Sequence, residues 1–197
     1  MAFMFSEIYY PLDAYTKIRG GIVMKKIMFN DKFGLTKAVL EGRKTQTRRI
    51  LAFKLALPPD DCKSFDRYSY YKVGETVAIA QSYKGCGLTD EFMKSYPAWV
   101  NKMFVKAELM PHQIQITGIK IERLQVISDE DCLKEGIYED GGNDSFIPHY
   151  FYNYHNSNSN GFKTPQLAYA DLINKIACNS TWDSNPWVFV YDFVLIK

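Results

Sequence analysis

Cysteine and histidine are scarce in this chain of 197 residues, and neither is arranged to hold a metal. Cys62, Cys86, Cys132 and Cys178 form no CxxC pair, and His112, His149 and His155 lie at no ligand spacing from them. That pattern speaks against structural zinc and against a disulfide framework, and it leads us to expect a reducing, cytoplasmic compartment with no metal or other cofactor. Long apolar runs are also missing. No stretch reaches the roughly 18 to 20 residues of a membrane span, and the opening MAFMFSEIYYPLDAYTK has no basic segment ahead of an apolar one. No membrane partner is expected. Internal repeats are absent as well. Net charge is nearly so, at +2, which at first sight argues against nucleic acid.

What is present is the composition of a folded globular chain, 47% hydrophobic and 23% charged, with 15% aromatic residues. A chain this long buries on the order of 70% of its extended surface and needs no metal or disulfide to stay folded. The near-neutral total, moreover, is a cancellation. Residues 25–54 hold nine Lys or Arg against Asp31 and Glu41, a local net charge of +7, and the rest of the chain sums to −5. Residues 122–144 hold eight acids against Arg123 and Lys134, a net of −6. The charge that could recognise an anion is therefore local.

Residues 1–23 read as an extension, punctuated by Pro11 and Gly20-Gly21, with Arg19-Gly20-Gly21 placed as a translated ribosome-binding site ahead of a start at Met24 would be. A chain beginning at Met24 is then expected to melt at the temperature of the full one. Residues 24–197 read as one domain with insertions near 54–72, 84–101 and 138–163. A short strand KKIMF leads to a helix that Asn30 or Asp31 can cap, with Leu35, Ala38 and Val39 on one face and Gly42 after its end. The motif GRKTQTRR begins where that helix stops. TVAIAQSY and KMFVKAEL read as strands, and residues 54–72 as a surface loop. In HQIQITGIKIERLQVI the alternation shifts phase at Gly118, the mark of a β-bulge at a barrel corner. Ser128 caps a short acidic helix ending at Gly136, with Ile127 placed to staple onto Cys132. Thr164-Pro165 opens a helix bearing Tyr169, Leu172, Ile173 and Ile176 on one face. The Asn- and Tyr-rich stretch at 138–163 reads as an insertion. Trp182 and Trp187 flank a turn as core anchors, and the closing strand WVFVYDFVLIK, apolar on both faces, reads as central. These elements predict an α+β fold with a small barrel.

Three groups of residues could carry chemistry. Arg43, Lys44, Arg48 and Arg49 surround Thr45, Gln46 and Thr47, a donor density suited to phosphate, since so many cations so close together repel one another without an anion. Thr47 lies three residues after Lys44, so a turn could bring amine to hydroxyl. A threonine needs a base, and Lys44 could serve if Arg43, Arg48 and Arg49 lowered its pKa, although spacing alone favours an ordinary surface Lys and Thr. Glu135 ends its helix, where the dipole disfavours a carboxylate, and either has another task or is a plain exposed glutamate. Facing Lys44, it would oppose the arginines. Tyr150, Phe151, Tyr152 and Tyr154 could stack on bases or simply cover the core.

Gly42-x-Lys44-x-x-Thr47-x-Arg49 after a short helix resembles the signature of the ASCH domain of the PUA-like superfamily. YKVGETVAIAQSY, IERLQVISDEDCLKEGI and WDSNPWVFVYDFVLI resemble three further segments of that family, in order, and the likeness is nearest to its larger phage- and Bacteroides-type members. The resemblance implies a PUA-like β-barrel with a cleft lined by the GxKxxTxR segment, binding RNA or a modified nucleoside. Small ASCH proteins are amidohydrolases of acetylated cytidine that use a lysine, a threonine and a glutamate. By motif position these fall on Lys44 as base, Thr47 as nucleophile and Glu135 as the proton-handling or orienting carboxylate. Arg43, Arg48 and Arg49 would contact phosphate. This chain is longer than those enzymes and has Arg48 where they carry an apolar residue. Three expectations follow: a binding module, an amidohydrolase, or a phage-type structural protein without chemistry.

Overall fold

Strand β7 (Trp187–Leu195) is the axis of a five-stranded mixed sheet in the computed structural model, which describes residues 24–51, 68–87, 94–95, 97–140, 149–152 and 161–196. It pairs antiparallel with β2 (Gln46–Ile50) on one side and with β4 (Gln113–Arg123) on the other. Beyond β4 lie β3 (Thr76–Ile79), antiparallel to it, and the two-residue β1 (Lys26–Ile27), parallel to β3. Both of its faces are covered: Val188 and Val190 on one and Tyr191 and Phe193 on the other are all buried. The central position expected of this strand is what the ladder shows. The extension at 1–23 lies outside the described residues.

The bulge is also where the phase shift put it, with the β4–β7 register slipping between Ile116 and Gly118. Glycine also leaves space at this point. A Cβ on Gly118 would stand 2.9 Å from Asp192 Oδ2, so the missing side chain makes room for the Asp192 carboxylate on β7. The helices lie against this sheet: α1 (Leu35–Leu40), α2 (Asp129–Lys134), α3 (Pro165–Ile176) and the single turn α4 (Thr181–Ser184). Asn30 caps a 3-10 turn before α1, and Gly34 in the left-handed region separates the two. Ser128 accepts from Asp131 N and Thr164 from Leu167 N, as expected, whereas α1 itself starts after Gly34 with no side-chain cap. Ile127 and Cys132 are both buried in the main core. None of these helices is long and apolar enough to cross a membrane.

Three expectations differ. The described strands form an open sheet with β1 and β2 as its edges and no closed barrel. β1 is too short for a ladder with β2, and a side chain spans the gap instead, Arg49 Nη2 donating to Met28 O at 2.7 Å. KMFVKAEL is not a strand but two 3-10 turns, Lys102–Phe104 and Ala107–Leu109. Its carbonyls are taken by an ammonium rather than a neighbouring strand: Lys26 Nζ donates to Met103 O at 2.6 Å and Val105 O at 2.8 Å. Finally, the stretches read as a surface loop and an insertion both contribute to the core. Tyr71 is buried edge-on to Tyr191. A hairpin of β5 (Tyr138–Asp140) and β6 (His149–Phe151) brings Phe151 and Tyr152 inside. Residues 52–67, 141–148 and 153–160, including Tyr154 and His155, lie outside the described set.

Candidate active site

The GRKTQTRR segment is held on three sides before any of its side chains is considered. Gly42, at φ +72°, turns the chain out of α1, and the Arg43 and Lys44 amides both donate to Ala38 O at 2.9 Å. Thr45 N donates to Lys134 O at the end of α2, and Thr45 O accepts from Phe193 N on β7. Lys44 is thereby fixed between two helix ends and the central strand. Gly136, at φ +99°, ends α2 beside it, with room for a Cβ only 3.5 Å from the Lys44 Cβ.

From this anchor the Lys44 side chain runs inward and is only 2% exposed. Its ammonium donates to Glu135 Oε2 at 2.5 Å and to the Glu135 carbonyl at 2.9 Å. The second contact places a cation on the C-terminal end of α2, where the helix dipole favours one. It also explains why a carboxylate is tolerated there: Glu135 is 4% exposed, and its other oxygen, Oε1, accepts from Arg48 Nη1 at 3.1 Å. Two cations thus share one carboxylate.

Arg48 extends the cluster. Its guanidinium donates to Gln46 Oε1 at 2.6 Å, to Glu122 Oε1 at 2.7 Å and to Asp131 Oδ2 at 3.0 Å. Lys120 closes the far side on Glu122 and Asp131, both at 3.0 Å, and Lys134 adds a bond to Asp131 at 3.2 Å. Gln46 passes the chain on to Asp192 at 2.7 Å, beside the bulge. Burial alone would lower the basicity of Arg48, but the Glu135 charge, with Glu122 adding to it, raises its pKa above the ordinary value. Burial likewise tends to raise Asp131, and the hydrogen bonds from Lys120 and Lys134, with the Lys120 and Arg48 charges, hold it instead at about 2. Cys132, behind this cluster, is pushed up to about 12, chiefly by burial, and is an unreactive thiol.

A cavity of about 30 Å³ opens beside the pair, its polar wall formed by Lys44, Thr47, Arg48, Arg49 and Glu135. Leu35, Leu172, Ile173 and Ile176 make the apolar wall, with Phe29 and Tyr169 completing it. The Phe29 ring has the Lys44 ammonium 5.8 Å and the Arg49 guanidinium 5.9 Å from its centroid. That space admits one or two waters or a group of a few heavy atoms, and not a whole nucleoside.

Of the residues singled out in the sequence, Lys44 and Glu135 meet directly, and Thr47 stands on the same cavity with no hydroxyl hydrogen bond among the described residues. No Lys44–Thr47 hydrogen bond is present. Arg48 and Arg49 are buried, with donors on carboxylates in the first case and on the Met28 carbonyl in the second. Arg43 alone of the three arginines is exposed, forked onto Glu41 at 2.7 and 3.0 Å and lying 5.5 Å from the Tyr138 ring centroid. Glu122, Asp131, Gln46 and Tyr169 were not foreseen as members. The acids were visible as a charge run and Tyr169 as part of an apolar helix face, but which strand faces that run is decided by the β2–β7–β4 pairing. Models of known protein families, curated proteins and solved structures were compared with the chain, and none of them matches it.

Proposed function

We propose that this chain is an ASCH-type amidohydrolase whose reacting groups are Lys44, Thr47 and Glu135, acting on an acylated nucleoside of the cytidine type. The single observation that carries the reading is the buried Lys44–Glu135 contact on the cavity that Thr47 also lines. The order of the motif segments along the chain supports the family. Arg49 reaching from β2 to Met28, across the open edges of the sheet, supports an incomplete barrel of PUA-like form.

The chemistry follows from the pair. Transfer of one proton from the Lys44 ammonium to the Glu135 carboxylate leaves a neutral amine that can take the Thr47 hydroxyl proton. Thr47 Oγ then forms a bond to the acyl carbon, and the carbon–nitrogen bond breaks as the proton held by Glu135 passes to the departing amine. Water hydrolyses the resulting threonyl ester, releasing the carboxylic acid and restoring the hydroxyl. The small cavity receives the acyl group, while the nucleoside stays outside it. The test is cytidine release from acetylcytidine by the purified protein. Release is expected from the native chain, with a loss of at least about 100-fold in both Lys44→Ala and Thr47→Ala. Activity that survives both substitutions would refute the assignment.

Arg43 favours a second reading, a module that binds RNA without turnover, because it is the motif's outward cation and sits over an aromatic ring. Binding of a short RNA should then weaken with salt, and Arg43→Ala should reduce the log–log slope by about 0.7, the value of one phosphate contact on a single strand. No binding at low salt ends this reading.

A further inference from the structure

Tyr169 has no place in the lysine–threonine–glutamate scheme, yet it stands at the same cavity. It projects from the middle of α3, a helix fixed at its start by the Thr164 cap and by Pro165. Its ring is packed edge-on against Trp182, with centroids 6.2 Å apart, and the residue is 2% exposed. The side chain borders the cavity together with Lys44, Thr47, Arg48 and Glu135. Its hydroxyl makes no hydrogen bond among the described residues. The hydroxyl is not among the sealed, unsatisfied side-chain atoms of the described residues, so it is open to the cavity, where a ligand or an ordered water can satisfy it. Phenylalanine would fill the same packing niche without offering a donor.

Thr47 and Tyr169 are thus two hydroxyl-bearing residues that line one small cavity and make no side-chain hydrogen bond among the described residues. They cannot have the same task. Thr47 follows the Lys44 turn on β2 and shares the cavity with Lys44 and Glu135. Tyr169 reaches the same cavity from a different element, α3. Burial, with the Glu135 charge added, holds the phenol well above its usual pKa, so at neutral pH it is a donor and not an anion.

We propose that Tyr169 is a catalytic residue whose O–H donates to the acyl oxygen of the substrate, stabilising the negative charge that develops there when Thr47 attacks. This rests on the amidohydrolase reading above. In the addition step the carbonyl π pair moves onto oxygen, which the Tyr169 proton hydrogen-bonds without leaving the phenol. The pair returns as the carbon–nitrogen bond breaks, so Tyr169 ends each turnover unchanged. A donor aimed at charge that exists only in the transition state raises kcat and leaves ground-state binding nearly alone.

The experiment compares steady-state cytidine release by the native chain and by Tyr169→Phe, with acetylcytidine and with its thioacetyl analogue, in which sulfur is a weak hydrogen-bond acceptor. Tyr169→Phe keeps the ring and its contact with Trp182, and thermal melting verifies that the fold is retained. The expected result is a kcat about 100-fold lower for acetylcytidine, a KM within about three-fold, and a difference between the two proteins that shrinks to a few-fold for the thio analogue. A kcat within about three-fold of native, or an equal loss with both substrates, overturns the role of Tyr169 while leaving the amidohydrolase reading in place. A native chain that releases no cytidine from acetylcytidine overturns that reading and this inference with it.

Discussion

Arg43 and Arg48 belong to one eight-residue basic motif, yet they occupy different media. Arg43 lies at the surface, with its Nε and Nη2 both donating to a single exposed glutamate, Glu41. Arg48 is buried and reaches three carboxylates, Glu122, Asp131 and Glu135. An exposed pair in water contributes little, because the charges are screened and two long side chains must be ordered to make it. A buried pair contributes little net stability either, since desolvation offsets attraction, but removing one partner leaves the other uncompensated. The lesson is that the motif's positive charge divides into an outer part, Arg43 at the surface on Glu41, and an inner part, Lys44 and Arg48, neutralised by Glu122, Asp131 and Glu135. The inner part is where proton chemistry can be held away from water.

The largest expected effect of breaking this contrast is on stability. Arg48→Ala removes the buried cation that three carboxylates share, leaving them to Lys44, Lys120 and Lys134, and should cost about 3 to 5 kcal/mol, measured by denaturant titration. Arg48→Lys should rescue only part of that, because an ammonium cannot fork to several carboxylates at once.

Acid comes next. Asp131 is held at about 2 against an ordinary 3.8, so its contribution is fully present above about pH 4 and is lost as the pH falls toward 2. The loss amounts to about 2 kcal/mol, and Asp131→Asn should remove that part of the pH dependence. A profile unchanged in the variant would show that Asp131 is not held by Lys120 and Lys134.

Gly118→Ala probes the far end of the same chain of contacts. Its new Cβ meets Asp192 Oδ2 at 2.9 Å, and Asp192 is the partner of Gln46, which in turn holds Arg48. A destabilisation of about 1 to 2 kcal/mol is expected, from the shift this close approach forces. The smallest effect belongs to the outer arginine. Arg43→Ala should change stability by less than about 1 kcal/mol.

Much of this architecture was legible along the chain. Ser128 and Thr164 announce their helices because caps are local chemistry, and Gly118 marks the bulge because a phase shift in alternation is a property of one strand. The central place of β7 follows from apolar residues on both of its faces. The failures have the opposite character. KMFVKAEL is apolar enough to read as a strand, but the distant Lys26 takes its carbonyls. The burial of Tyr71 and Tyr152 depends on elements remote in sequence. Within the site, Lys44, Thr47 and Glu135 were reached through motif position. That Arg48 turns inward was not legible, because it depends on the register that sets β2 and β4 on either side of β7 and brings Glu122 and Asp131 to the same face. Tyr169 was visible only as one apolar-face residue among four.

The measurement that tests the contrast most directly is acetylcytidine turnover by Thr47→Ala and Arg43→Ala side by side, with thermal melting showing both folded. Thr47→Ala is expected to lose at least about 100-fold in kcat/KM while Arg43→Ala stays within about two-fold of the native chain. Turnover that persists in Thr47→Ala but collapses in Arg43→Ala would contradict it and move the chemistry to the outer face.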